Sequence, residues 1–313
     1  MLIFFEYIKN YFKEGFNYKA HIGIAIFLAA CLTFNYTYSF ADQSNFYDSF
    51  IHVSYRTWPS IAYLILFYCF AFYGAIAILK LSNKHSKINL KYILFGTIGL
   101  ILLSVDCSYY LMQFAKYILP ENIFISYWMH HCISNLSSFI TVIIPIYILY
   151  FLTKTFRPEL FGFALNGAKT RPYFYLILCM IPLVYLASLS SNFLETYPTY
   201  TDRYEYAAIG WSQWQTVAIY ELCYGFDFIS VELFFRGFLI VGLSKLIGKE
   251  AILPMITVYC FLHFGKPMGE AISSIFGGYI LGILAYESRN IYGGLIAHLG
   301  VAWGMEYLAY LQT

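Results

Sequence analysis

Apolar runs of spanning length follow one another from about residue 20 to residue 310, and they constrain the fold more than any other feature. They lie near 20–38, 59–79, 91–112, 137–154, 172–190, 212–246, 250–264, 268–286 and 290–310. A helix needs about 20 apolar residues to cross some 30 Å of hydrocarbon. Backbone donors and acceptors in lipid must be satisfied within the chain, so runs of this kind admit only helices. The short alternating segments of a transmembrane barrel are missing. Composition agrees: 12% of residues are charged, about half the share of a soluble domain. The expected fold is an all-α polytopic membrane protein with eight or nine transmembrane helices. Its shorter helices would be tilted or partly re-entrant, and the 212–246 run kinked or broken.

Orientation follows from the basic residues between spans. With nine spans and a cytoplasmic N-terminus, fourteen Lys and Arg fall on the inner side and four on the outer side. The outer four are Arg56, Lys116, Arg203 and Lys266, and Arg236 is left inside a span. A multi-pass protein of the cytoplasmic membrane with its N-terminus inside is expected, with outer loops at 41–58, 113–136 and 191–211. Leu28-Ala29-Ala30-Cys31 resembles a lipoprotein cleavage box. The preceding stretch carries Glu6 and Glu14, however, and the apolar run continues past Cys31. That pattern fits an amphipathic interfacial segment leading into a first span. The seven cysteines are scattered without a CxxC pair and read as apolar fillers.

Ionisable groups inside spans are costly and mark candidate sites. They are Asp106, Glu221, Asp227, Glu232, Arg236, His263, His298 and Glu306, and seven of the eight lie in the last hundred residues. Glu232 and Arg236 stand at i and i+4 in the favourable order for a helical ion pair. Counting 1.5 Å per residue brings Glu232, His263 and His298 to similar depth, roughly 12–21 Å from the inner face. A carboxylate and two imidazoles in a dry site can bind a divalent metal, or activate water and hold an oxyanion.

The run Val231-Glu232-Leu233-Phe234-Phe235-Arg236-Gly237-Phe238, then Tyr259 to His263, then His298 to Ala302, resembles the CPBP family. These are the CAAX prenyl proteases and bacteriocin-processing intramembrane enzymes. Their motifs are EExxxR, FxxxH and HxxxN, each on its own helix, and the likeness covers about 212–310. It implies accessory spans over 1–210 and a protease core over 211–313. It also implies an endopeptidase whose Glu and His activate water while a second His and an Asn hold the oxyanion. Glu232 matches the second Glu, Arg236 the Arg, and His263 and His298 the two histidines. The first Glu is Val231 here, the Asn is Ala302 and the Phe is Tyr259.

Valine accepts no proton and alanine donates no hydrogen bond, so an active site would need a carboxylate from elsewhere. Glu232 is adjacent to position 231 but turned by about 100°. Asp227 faces within about 40° of Val231, roughly 6 Å along the axis. Glu270 follows His263 through a Gly/Pro break, and Glu306 lies one turn beyond Ala302, where it would serve the polar role of the Asn. Two readings result. One is an intramembrane peptidase with a relocated carboxylate, acting on a membrane-embedded or lipidated peptide or protein. The other is a catalytically silent scaffold, immunity or assembly factor. A transporter would need paired broken helices in repeated halves, which are missing. Retention of both histidines favours the peptidase. No cofactor motif and no nucleic-acid-binding feature is evident, and whether a divalent metal takes part is left open by the donor set.

Overall fold

The computed structural model describes residues 2–13, 16–38, 58–83, 88–156, 159–164 and 170–312. Arg56, Lys84, Lys87, Arg157 and Lys169, which entered the count of basic residues, lie outside them, as does most of the 41–58 loop. The helices are α1 (Leu2–Lys13), α2 (Tyr18–Tyr38), α3 (Trp58–Ser82), α4 (Leu90–Cys107), α5 (Ile123–Leu136), α6 (Ile144–Leu152) and α7 (Arg171–Ser188). There follow α8 (Ser191–Leu194), α9 (Glu205–Ile209), α10 (Gln213–Glu232), α11 (Ser244–Ile247), α12 (Ile252–Leu262), α13 (Met268–Ser288) and α14 (Tyr292–Gln312). No strand occurs among the described residues. Six helical rods, α2, α3, α4, α5 with α6, α7 and α13, are long and apolar enough to cross a membrane. The protein is a multi-pass helical membrane protein.

Contacts between connections sort the chain ends of these rods into two faces. On one face Lys249 Nζ donates to the Tyr11 carbonyl at 2.9 Å and Asn17 Nδ2 to Ser82 Oγ at 3.0 Å. On that face, too, Glu159 receives Arg289 Nη2 at 2.5 Å and Lys245 Nζ at 3.3 Å. Burial alone would raise the Glu159 pKa, but the two cations outweigh it and hold the carboxyl below its ordinary value. On the other face Asn35 donates to the Phe264 carbonyl at 2.9 Å and Tyr36 to that of Lys266 at 2.7 Å. Gln312 there donates to Ser188 Oγ at 3.3 Å. Each face gathers every second connection, which is the pattern of successive crossings.

Helix α1 exposes Phe5 and Phe12 while burying Phe4 and Tyr11, an amphipathic arrangement beside the first span. Cys31 lies within α2, which continues to Tyr38. One expectation needs correction. The loop assigned to 113–136 is helical from Ile123. Asn122 caps α5 by accepting from the Phe124 and Ile125 amides at 3.0 and 3.2 Å. His130, His131, Ser134 and Asn135 dilute its hydropathy and hide its start. A π turn at Phe139–Ile143 then joins α5 to α6 in one 30-residue rod, Ile123–Leu152. Helix α12 ends at Leu262, with His263 as its C-cap, where the Gly/Pro break begins. Its eleven residues rise about 16 Å.

The 212–246 run is continuous but locally underwound: α10 passes into a π-helical stretch, Leu233–Gly242, before α11. π turns are rare and gather at functional sites, and this one carries Arg236. Its packing depends on close approach. A Cβ on Gly237 would stand 2.7 Å from the Phe161 carbonyl oxygen. That oxygen is backbone and cannot swing aside. A Cβ on Gly277 of α13 would meet nothing within 4 Å. Gly237→Ala is therefore expected to destabilise by about 1–3 kcal/mol through overpacking. Gly277→Ala should be neutral or stabilise by about 0.5–1 kcal/mol. Thermal unfolding midpoints of the two variants, compared with the parent, check the difference; equal midpoints would contradict the packing described.

Candidate active site

Three helices converge on one carboxylate. Glu232, the last residue of α10, is fully buried, as is Arg236 one π turn on. Arg236 Nη1 donates to Glu232 Oε1 at 2.8 Å. His298 of α14 donates from Nδ1 to the same oxygen at 2.9 Å. The i,i+4 spacing supplies the first contact. The second requires α14 to come close, which Gly294 permits: a Cβ there would stand 2.7 Å from Glu232 Oε2. Glu232 Oε2, Arg236 Nε and Arg236 Nη2 find no hydrogen-bond partner among the described residues. Part of the guanidinium charge is met by the Tyr259 ring, whose centroid lies 4.4 Å from Arg236 Cζ, a cation–π contact strengthened by desolvation.

Tyr259 ties the rest together. Its hydroxyl lies 3.2 Å from His298 Nε2. Its backbone carbonyl accepts from His263 Nδ1 at 2.8 Å. Its ring stands edge-on to that of His263, centroids 4.7 Å apart. Carboxylate and carbonyl oxygens only accept, so both imidazoles carry a proton on Nδ1. In the neutral form each then presents Nε2 as a base. In the sequence Tyr259 stands where the family motif has a phenylalanine. Its part in the site was signalled by that same change, since a tyrosine in place of phenylalanine adds a hydroxyl at a position already fixed by the motif.

The other sequence candidates lie outside this network. Asp227 lines a separate cavity of about 130 Å³ together with Asp106 and Val231. Glu270 accepts the Tyr197 hydroxyl on both carboxylate oxygens at 3.0 Å. Glu306 accepts the Thr199 amide at 2.9 Å and the Thr199 hydroxyl at 2.8 Å. Both glutamates thus fasten the 191–211 connection onto α13 and α14. The Glu221 carbonyl accepts from Trp303 at 3.2 Å, while its Oε2 lacks a partner. Ala302 is buried and offers no donor. No group of three or more His, Cys, Asp or Glu side chains suited to a metal ion occurs among the described residues.

Removing one member of a buried ion pair leaves a bare charge, at a cost of roughly 3–5 kcal/mol. Arg236→Ala is therefore expected to lower the yield of folded protein and its thermal midpoint sharply. Glu232→Gln combined with Arg236→Met should recover most of that loss. Normal levels and stability in Arg236→Ala would show that the pair is not structural.

Residues 210–304 match the family model described as Type II CAAX prenyl endopeptidase Rce1-like. No curated protein and no solved structure matches the chain. The matched segment begins just before α10 and ends within α14, so it contains Glu232, Arg236, Tyr259, His263 and His298. The chain is thus a multi-pass helical membrane protein similar, over residues 210–304, to the CAAX prenyl endopeptidases of the CPBP family.

Proposed function

We propose that the chain is an intramembrane endopeptidase acting on a membrane-embedded or lipidated peptide, with residues 1–210 as accessory spans around a core at 211–313. The observation that carries this reading is the shared use of Tyr259. Two imidazoles, each fixed through Nδ1, are joined by one tyrosine beside a fully buried Glu232–Arg236 pair.

In this reading His263 Nε2 takes a proton from water as the oxygen attacks the scissile carbonyl carbon. The new C–O bond leaves a tetrahedral oxyanion. The Tyr259 hydroxyl and the imidazolium form of His298 donate to it. Glu232 does not touch substrate; it holds His298 in one tautomer and balances its charge, as a buried carboxylate does for a catalytic imidazole. Collapse breaks the C–N bond, and the proton on His263 passes to the leaving nitrogen. The carboxylate that the family places at position 231 is supplied from behind the histidine instead of in front of the water. Absence of the Asn donor at Ala302 alone should lower the rate by about 10²–10³, so slow turnover is expected.

A specific observation favours a silent scaffold as the second reading. Val231 and Ala302 put apolar side chains at both positions where the family has its base and its amide donor. Cleavage of a membrane-anchored test peptide by purified protein separates the two. The expected outcome is slow cleavage, lost by at least about 100-fold in His263→Ala and in His298→Ala, and raised in Val231→Glu. No cleavage by the parent, with activity appearing only in Val231→Glu, would establish the scaffold.

The face that gathers Lys245, Lys249 and Arg289 is proposed to be cytoplasmic, with the N-terminus, in the cytoplasmic membrane. In a background lacking native cysteines, Thr201→Cys should react with an impermeant thiol reagent added from outside. His85→Cys should not. The reverse pattern would invert the orientation.

A further inference from the structure

The cavity beside Val231 carries a second chemistry, one that the peptidase reading does not use. It lies between α4, α5 and α10 and is lined by Asp106, Asp227, Ser134, Asn135 and Ser230 together with apolar groups. Thr141 donates to Asp106 Oδ1, and the Ser138 hydroxyl is engaged with the Asn135 carbonyl at 3.1 Å. No lysine, arginine or histidine is among the lining residues. Two carboxylates therefore line one cavity with no cationic side chain among its lining residues.

Ser230 gives the independent sign of a ligand. It is 2% exposed, and its hydroxyl has no hydrogen-bond partner. Helical serines in lipid ordinarily donate back to their own helix. Ser104 does so to the Leu100 carbonyl, and Ser108 to that of Val105, each at 2.7 Å. Ser230 does not, and it lines the cavity that the two aspartates share. A buried hydroxyl left unpaired beside two carboxylates has the character of a donor set awaiting an occupant.

We propose that Asp106 and Asp227, with the Ser230 hydroxyl, form a binding site for a hard divalent cation of the magnesium or calcium class. The donors are all oxygen, the set that such cations select over softer metals. Two ionised carboxylates are neutralised by a double charge, whereas a monovalent ion leaves one negative charge in the membrane interior. The volume of about 130 Å³ compares with about 30 Å³ per water molecule. It accommodates an ion that keeps several waters, as magnesium does when held by one or two carboxylates. The ion would clamp α4 to α10 through Asp227 and Ser230, five and two residues before Glu232. The site is independent of whether the histidines cleave peptide.

The test uses the full chain in lipid nanodiscs, stripped with a chelator and then titrated with magnesium, calcium or, at matched ionic strength, sodium chloride. The expected result is a saturable rise of the thermal midpoint by roughly 5 °C or more with a divalent ion and none with sodium. Asp106→Asn and Asp227→Asn should abolish the rise, and Ser230→Ala should weaken it. Should the Asn variants fail to fold, manganese titrated into the parent and followed by electron paramagnetic resonance decides the matter. One tightly held ion per chain, displaced by magnesium and weakened in Ser230→Ala, supports the site. No divalent response, a response to sodium alone, or an unchanged response in the Asn variants would overturn it, leaving a carboxyl pair that holds protons only.

Discussion

A carboxylate that water does not reach must be balanced by groups the fold itself supplies, and Glu232 is balanced by Arg236 on its own helix and His298 on another. The first partner comes with the local sequence. The second exists only when α14 lies against α10, so the electrostatics of the site require the tertiary fold. Gly294 is what lets the two helices approach, and Tyr259 receives the other side of the guanidinium. Buried ion pairs contribute little net stability, because desolvation cancels most of their attraction. Their strength is in specifying one arrangement: any packing that separates these groups strands a charge in lipid.

The same constraint extends toward the far face. Glu270 and Glu306, on the two helices that follow the first histidine, are held by Tyr197 and Thr199 of the connection before α9. Lys266 Nζ lies 5.0 Å from the Tyr197 ring centroid and adds a cation to that cluster. The segment linking α7 to α10 is therefore fastened to both histidine-bearing parts of the chain. On the opposite face Arg289, Lys245 and Glu159 tie three further connections together. Polar contacts thus close the bundle at its ends, while apolar packing fills the middle.

Continuous apolar runs of spanning length made the helical class legible, because lipid leaves the backbone no alternative. The Glu–Arg pair was legible from spacing, and the order of the three motifs from the residues themselves. Helix α5 was not, since His130, His131, Ser134 and Asn135 carry a polar stripe that a hydropathy window cannot tell from a loop. The end of α12 at His263 was legible, because Gly265, Pro267 and Gly269 break the run that follows it. Asp227 could be placed on the face of Val231 from helix geometry. Its neighbour Asp106 could not be found, because that pairing depends on how α4 packs. The carboxylates weighed as replacements for position 231 turn out to have separate surroundings: Glu232 behind His298, Asp227 in a cavity with Asp106, and Glu270 under Tyr197.

The central claim is that Glu232 fixes His298 through Nδ1 within a fully buried network. Nitrogen-15 magnetic resonance of histidine-labelled protein in lipid reads this directly, with the His298 signals assigned from a His298→Gln variant. The expected spectrum has a protonated, carboxylate-bonded Nδ1 for His298, and Glu232→Gln shifts that signal while leaving the Nδ1 signal of His263 in place. A His298 protonated only at Nε2, or one indifferent to Glu232→Gln, would contradict the claim.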